Sequence, residues 1–156
     1  MAVLAAREKR GLEPTLASDS APVHRLVEAM LPWAARVRVM RDPTRGGLAA
    51  VLHEAATVSG FLIRERELPF DPVASALADI LRIRLLHVES EGCLVADVAP
   101  DCAEEILAHW RALPEGAHAC CIGEAMAGAG RVILETTIGG QSLLDMPSGE
   151  LLPRIC

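Results

Sequence analysis

Apolar residues recur at helical spacing in four stretches of the chain and at strand-like spacing between them. Val23, Leu26, Val27, Met30 and Leu31 mark one face of a helix that starts at Ser20, carries Pro22 in its first turn and is ended or kinked by Pro32. Val37, Val39 and Met40 alternate with Arg36 and Arg38 and predict a short strand. Leu48, Val51, Leu52 and Ala55 predict a second helix that ends near Gly60, before a strand over residues 61–64 with Leu68 behind it. Asp71-Pro72 is a cap-and-proline start for a third helix carrying Leu77, Ile80 and Leu81.

The second half reads less regularly. Residues 85–88 and 93–98 are apolar runs joined by Glu89-Ser90-Glu91-Gly92, which predicts two strands and a tight connection. Asp101 and Glu104 have capping-box spacing before a helix bearing Ala103, Ile106, Leu107 and Trp110. Residues 119–122 and 132–136 are further strand candidates, and residues 1–7 read as a strand interior. After Thr137 the chain is punctuated by Gly, Ser and Pro. Strands and helices mix without strict alternation, so the predicted class is α+β, a mixed sheet with helices packed on it and a flexible C-terminal tail.

Composition narrows the function. At 51% hydrophobic residues the chain can bury a core, which argues against disorder. Aromatic residues are 3%, with no Tyr, so bases or sugars have few rings to stack on. A net charge of −6 makes nucleic acid a poor partner. No apolar run reaches the ~18 residues of a membrane span. Five cysteines, no Cys-x-x-Cys pair and an early charge at Arg7 predict a reducing cytoplasm rather than secretion.

Three places could carry chemistry. Arg41-Asp42-Pro43-Thr44-Arg45-Gly46-Gly47 joins a strand to a helix. Free first-turn amides, paired glycines and two arginines suit an anion such as phosphate, with Asp42 and Thr44 able to cap the helix or to help hold a metal-bound phosphate. The plain alternative is a capped turn whose glycines serve packing. Glu89 and Glu91 bracket a turn and could supply a general base, or face solvent. Cys156 ends a tail that, from Gly140, extends at most ~55 Å, so one thiol could visit more than one site. His118, Cys120 and Cys121 fit no zinc spacing, and Cys93, Cys102, Cys120 and Cys121 read as small packing thiols. His24, His53 and His109 read as surface or interfacial residues on helices.

Residues 41–49, then Glu91-Gly92 followed by Leu94-Val95-Ala96, then Gly139-Gly140, and finally Gly149-Glu150-Leu151-Leu152-Pro153-Arg154-Ile155-Cys156, occur in one order. In that order they resemble, end to end, the hydrogenase expression/formation proteins of the HypE family, carbamoyl dehydratases of nickel–iron hydrogenase maturation. The first motif also resembles the wider aminoimidazole-ribonucleotide-synthetase-like superfamily. The resemblance implies that Cys156 receives a carbamoyl group from a carbamoyltransferase partner, that ATP with magnesium activates the carboxamide, and that loss of water leaves a thiocyanate. The cyanide then passes to iron on a scaffold complex. It further implies nucleotide phosphates beside Asp42, Thr44, Arg45, Gly46 and Gly47, and a role for Glu91 in deprotonating the carboxamide. Cys93 stands where the family commonly has Lys, which removes a cation from that turn.

Relatives of this family carry a further N-terminal domain that supplies most of the ATP and metal site and the homodimer interface. The expected organisation is therefore a remnant of that domain and a linker over 1–16, an AIR-synthase-related C-terminal domain over 17–138, and a mobile tail over 139–156. The isolated chain is expected not to hydrolyse ATP. The contrasting readings are a non-catalytic module that presents a thiol or docks maturation partners, and a half-domain of another ATP-using enzyme of the superfamily. The terminal Cys disfavours the last.

Overall fold

A computed structural model describes Met1, Ala2, Ala5 and residues 16–146 of the 156. The regular elements are α1 (His24–Ala29), β1 (Val37–Arg41), α2 (Gly47–Ala55), β2 (Gly60–Arg64), α3 (Pro72–Leu81), β3 (Val95–Val98), α4 (Ala103–Arg111), β4 (Gly123–Met126), β5 (Val132–Glu135) and β6 (Gln141–Leu143). β2 lies inside a four-stranded mixed sheet of order β4-β2-β5-β6, parallel to β5 and antiparallel to β4. β1 and β3 form a separate antiparallel pair. The α+β class and the mixed sheet agree with the sequence pattern.

Two apolar clusters hold these layers. Along β2 and β5 the pleat turns Phe61, Ile63, Val132 and Leu134 to one face, where Ala49, Leu52 and Ala56 of the α2 region cover them. The second cluster joins Leu26 and Met30 to Ile106 and Trp110, so α1 and α4 share one core beside β1 and β3. Trp110 satisfies its buried indole by donating from Nε1 to the Leu26 carbonyl at 3.0 Å. α3 begins as its sequence says: the Asp71 carboxylate accepts from the Val73 and Ala74 amides at 2.8 and 2.9 Å.

Several expectations are corrected. Ala2 and Ala5 are helical where residues 1–7 read as a strand, and Ala5 donates to the Met1 carbonyl at 3.0 Å. Alanine is the strongest helix former, and the apolar run alone could not tell the two states apart. α1 has only six residues, so Leu26 and Met30 are buried while Val27 and Leu31 stay exposed. The α-helix ends at Ala29, before Pro32, which lies in the 3-10 segment Leu31–Arg36 with a kink at Trp33. Asp101 caps nothing. It lies in the 3-10 turn Pro100–Cys102, and its carboxylate pairs with Arg36 instead.

The predicted strand at 85–88 is a 3-10 turn, Leu85–His87, whose carbonyls are crowded by Gly47 of α2. The strand expected at 119–122 lies a few residues later as β4, because Gly123 is where the backbone can approach β2. A Cβ there would lie 2.1 Å from the Leu62 carbonyl oxygen. β6 falls inside the stretch expected to be tail. It pairs with β5, and Leu144 is 2% exposed, so the folded unit runs at least to Leu144 rather than ending at 138. The predicted linker lies mostly outside the described residues, as do residues 147–156. Among the described residues no helix is long and apolar enough to cross a membrane.

Candidate active site

The two loops singled out in the sequence meet. Ser90 donates its backbone N–H to the Pro43 carbonyl at 3.0 Å, which ties the 89–92 turn to the loop entering α2. Within that loop Thr44 donates to the Asp42 carbonyl at 2.9 Å, and Gly46 takes the left-handed conformation, φ 73°, at the N-cap of α2. No side chain caps the helix, so the capping role considered for Asp42 and Thr44 is not observed. The Gly47 amide donates to the Thr44 carbonyl at 3.4 Å, and the Leu48 and Ala49 amides behind it have no side-chain acceptor.

Gly47 serves packing as well. Its φ is +64°, and a Cβ would lie 2.6 to 2.8 Å from three backbone atoms of residues 86–88. Arg45 is exposed. Arg41 pairs with Glu54 of α2 at 3.2 Å, so its charge is partly spent within the fold.

Glu91 is exposed on its turn, where it is accessible to a ligand. The turn is braced from the other side: a Cβ on Gly92 would lie 1.6 Å from the Asp19 carbonyl oxygen. Behind the loops opens a cavity of about 650 Å³ whose lining includes Pro43, Leu48, Ser90, Gly92 and Cys93. Its size falls in the range of small-molecule sites, ~300–1,000 Å³.

The thiols divide by environment rather than forming one packed set. Cys102 is buried and donates from Sγ to the Ala99 carbonyl at 3.2 Å. Cys93 and Cys120 are half-buried, and burial pushes both thiols up. Cys121 is exposed, which overturns its reading as a packing thiol. Neither Cys120 nor Cys121 lies in a strand. Because the thiolate is the nucleophile, a raised pKa lowers the reactive fraction at neutral pH. Iodoacetamide under native conditions is therefore expected to alkylate Cys121 before Cys93 and Cys120, and Cys102 last. Raising the pH should speed Cys93 and Cys120. Peptide mapping by mass spectrometry reads the order.

Among the described residues no three His, Cys, Asp or Glu side chains converge on a metal-sized position. Cys156 lies outside the described residues. Two residues were not distinguished in the sequence: His87, and Leu144, the partner of His53. His53 bonds the Leu144 carbonyl, and His87 keeps a buried, unpartnered ring nitrogen. His53 and Leu144 are too far apart along the chain for spacing to signal their contact.

Comparison with known proteins places the fold. Residues 1–135 match the family described as AIR synthase related protein, C-terminal domain. Carbamoyl dehydratase HypE of Bradyrhizobium diazoefficiens is 44% identical, over all of this chain and 46% of its own length. The crystal structure of hydrogenase maturation protein HypE in complex with ATP superposes with a TM-score of 0.90 at 34% identity, covering 99% of this chain and 48% of that one. The HypE chain of a HypE–HypF complex gives 0.87 at 33% identity, over 93% and 48%. The chain spans about half the length of the curated relatives it matches. By this match it belongs to the AIR synthase related C-terminal domain family, in the form that the HypE hydrogenase maturation proteins carry.

Proposed function

We propose that the chain is the C-terminal half of a carbamoyl dehydratase of hydrogenase maturation, acting in the cytoplasm, and that Cys156 carries the group that becomes cyanide. The observation that carries this reading is the junction of the 42–47 loop with the 89–92 turn through the Ser90–Pro43 bond. It puts the start of α2 and the exposed Glu91 carboxylate on neighbouring loops, which supports a site between them. The likeness to a HypE solved with ATP supports a nucleotide there.

The chemistry asks for two things. The carboxamide oxygen must become a leaving group, and the nitrogen must lose two protons. Transfer of the γ-phosphoryl group to that oxygen, with ADP departing, meets the first demand. A carboxylate within reach of the N–H meets part of the second, and Glu91 takes that role. Loss of phosphate then leaves S–C≡N on Cys156.

The amides opening α2, with Asp42, Thr44, Arg45, Gly46 and Gly47 around them, face the nucleotide phosphates. Arg45 neutralises charge. The magnesium that travels with ATP would be held chiefly by carboxylates of the preceding domain that relatives carry. The partners in this reading are a carbamoyltransferase, for which the HypE–HypF complex is the supporting likeness, an iron-bearing scaffold complex, and a second copy of the whole protein in a homodimer.

Incubation with carbamoyl phosphate, ATP and the carbamoyltransferase, followed by intact-mass measurement, tests the carrier. The expected result is a gain of one carbamoyl group, absent from Cys156→Ala. Equal gain in both proteins would transfer the role to another residue. A thiol-presenting module without ATP chemistry remains the contrasting reading, because the chain spans about half of its relatives. Under that reading carbamoylated Cys156 would persist when ATP and the rest of the enzyme are supplied.

A further inference from the structure

β6 ends on the core. After Leu143 the chain does not leave the domain: Leu144 donates its amide to the Val132 carbonyl at 2.8 Å and sinks its side chain among Ala49, Leu52 and Phe61. At the other end of the same residue, His53 of α2 sets Nε2 2.8 Å from the Leu144 carbonyl oxygen. A carbonyl can only accept, so this contact fixes the proton on Nε2 of His53. The next residue, Asp145, lies against His87, whose Nε2 is buried without a partner. Burial, reinforced by Arg84 and His53, holds the His87 imidazole below its usual value, while Asp145 opposes the shift.

We propose that His53 clamps the root of the C-terminal segment at Leu144, so that the segment carrying Cys156 departs from one fixed point beside α2. His53 is the positioning residue that makes the hydrogen bond.

The location explains why a clamp matters. The twelve residues after Leu144 reach at most about 40 Å, so the origin of the tether decides what the thiol can meet. The clamp also shares a wall with the candidate site. His87 belongs to the 3-10 turn whose backbone is in contact with Gly47 of the anion-binding loop. His53 stands on the helix which that loop begins. The root of the segment is therefore held by the helix that this loop opens.

The purpose given to the clamp rests on the carrier reading of Cys156. Its existence does not, because it is read at Leu144 whether or not Cys156 is ever modified. Amide hydrogen exchange followed by NMR on this chain tests it. In His53→Ala the Leu144 amide, bonded to the Val132 carbonyl, is expected to exchange about tenfold faster, the loss of one hydrogen bond, while Phe61 and Ile63 of β2 keep their protection. In His53→Gln, whose amide nitrogen can reach the same carbonyl, protection should return to near the wild-type level. Unchanged exchange at Leu144 in His53→Ala overturns the proposal. So does a rise shared equally by β2, and so does a loss in His53→Gln as large as in His53→Ala.

Discussion

Gly47→Ala is expected to cost more than about 3 kcal/mol of stability, which places it among the severe single substitutions. Two penalties act together. A residue with a Cβ loses ~1–2 kcal/mol in the left-handed region, and Gly47 sits at φ +64°. The new methyl would also press on the Val88 and Leu86 carbonyl oxygens at 2.6 and 2.7 Å and on the His87 carbonyl carbon at 2.8 Å. Those are backbone atoms of a turn whose Leu86 and Val88 are buried, so neither side can yield cheaply. Urea unfolding followed by tryptophan fluorescence measures the loss. Gly139→Ala is the control: its φ is +85°, but nothing lies within 4 Å of the added carbon. It should show the conformational penalty alone. Equal midpoints for the two variants would mean that the contact with 86–88 does not matter.

Trp110→Ala is expected to cost about 3–5 kcal/mol, the usual range for removing a buried aromatic side chain. Trp110 is the residue on which the second core converges, meeting Leu26, Met30 and Ile106. Removing it leaves a cavity between α1 and α4 and strips the Leu26 carbonyl of the indole donor at 3.0 Å. Trp110→Phe separates the two effects. It keeps most of the volume and loses the hydrogen bond, so it should cost ~1–2 kcal/mol. Circular dichroism over a urea titration reads both. α1 and α4 hold no residue of the 42–47 loop, so folded Trp110→Phe should retain the loop geometry, seen as unchanged amide shifts at Ser90 and Gly92.

The parts of the fold that were legible announce themselves by local chemistry. α3 is read from Asp71-Pro72, because one carboxylate and one proline define its first turn. α2 and α4 are read from apolar residues at helical spacing, because each buries a single face. β4 and β6 escape that logic. Gly123 belongs to β4 for the absence of a side chain, and Gln141, Ser142 and Leu143 are all exposed, so no alternation marks their strand.

The candidate site was legible as two separate loops. Their meeting was not, since it depends on one backbone bond between Ser90 and Pro43, and backbone bonds leave no mark in residue identity. Asp101 shows the opposite failure. Its capping-box spacing is genuine, but Arg36, distant in sequence, competes for the carboxylate and wins. Residues 147–156, with Cys156, lie outside the described residues, so the role of that thiol rests on the motif and its test.

The parallel pairing of β2 with β5 sets the order in which the chain can fold. β2 is complete by Arg64, yet its neighbours β4 and β5 begin only at Gly123 and Val132. A ribosome moving at ~5–20 residues per second would therefore leave both hydrogen-bonding edges of β2 unpaired for several seconds before either partner emerges. Such long-range pairing makes folding slow. The residues of α2 that cover Phe61 and Ile63 are already made by then, so a nascent chain halted before Val132 presents an unpaired strand edge, rather than a bare apolar face, to chaperones and to its neighbours on the polysome.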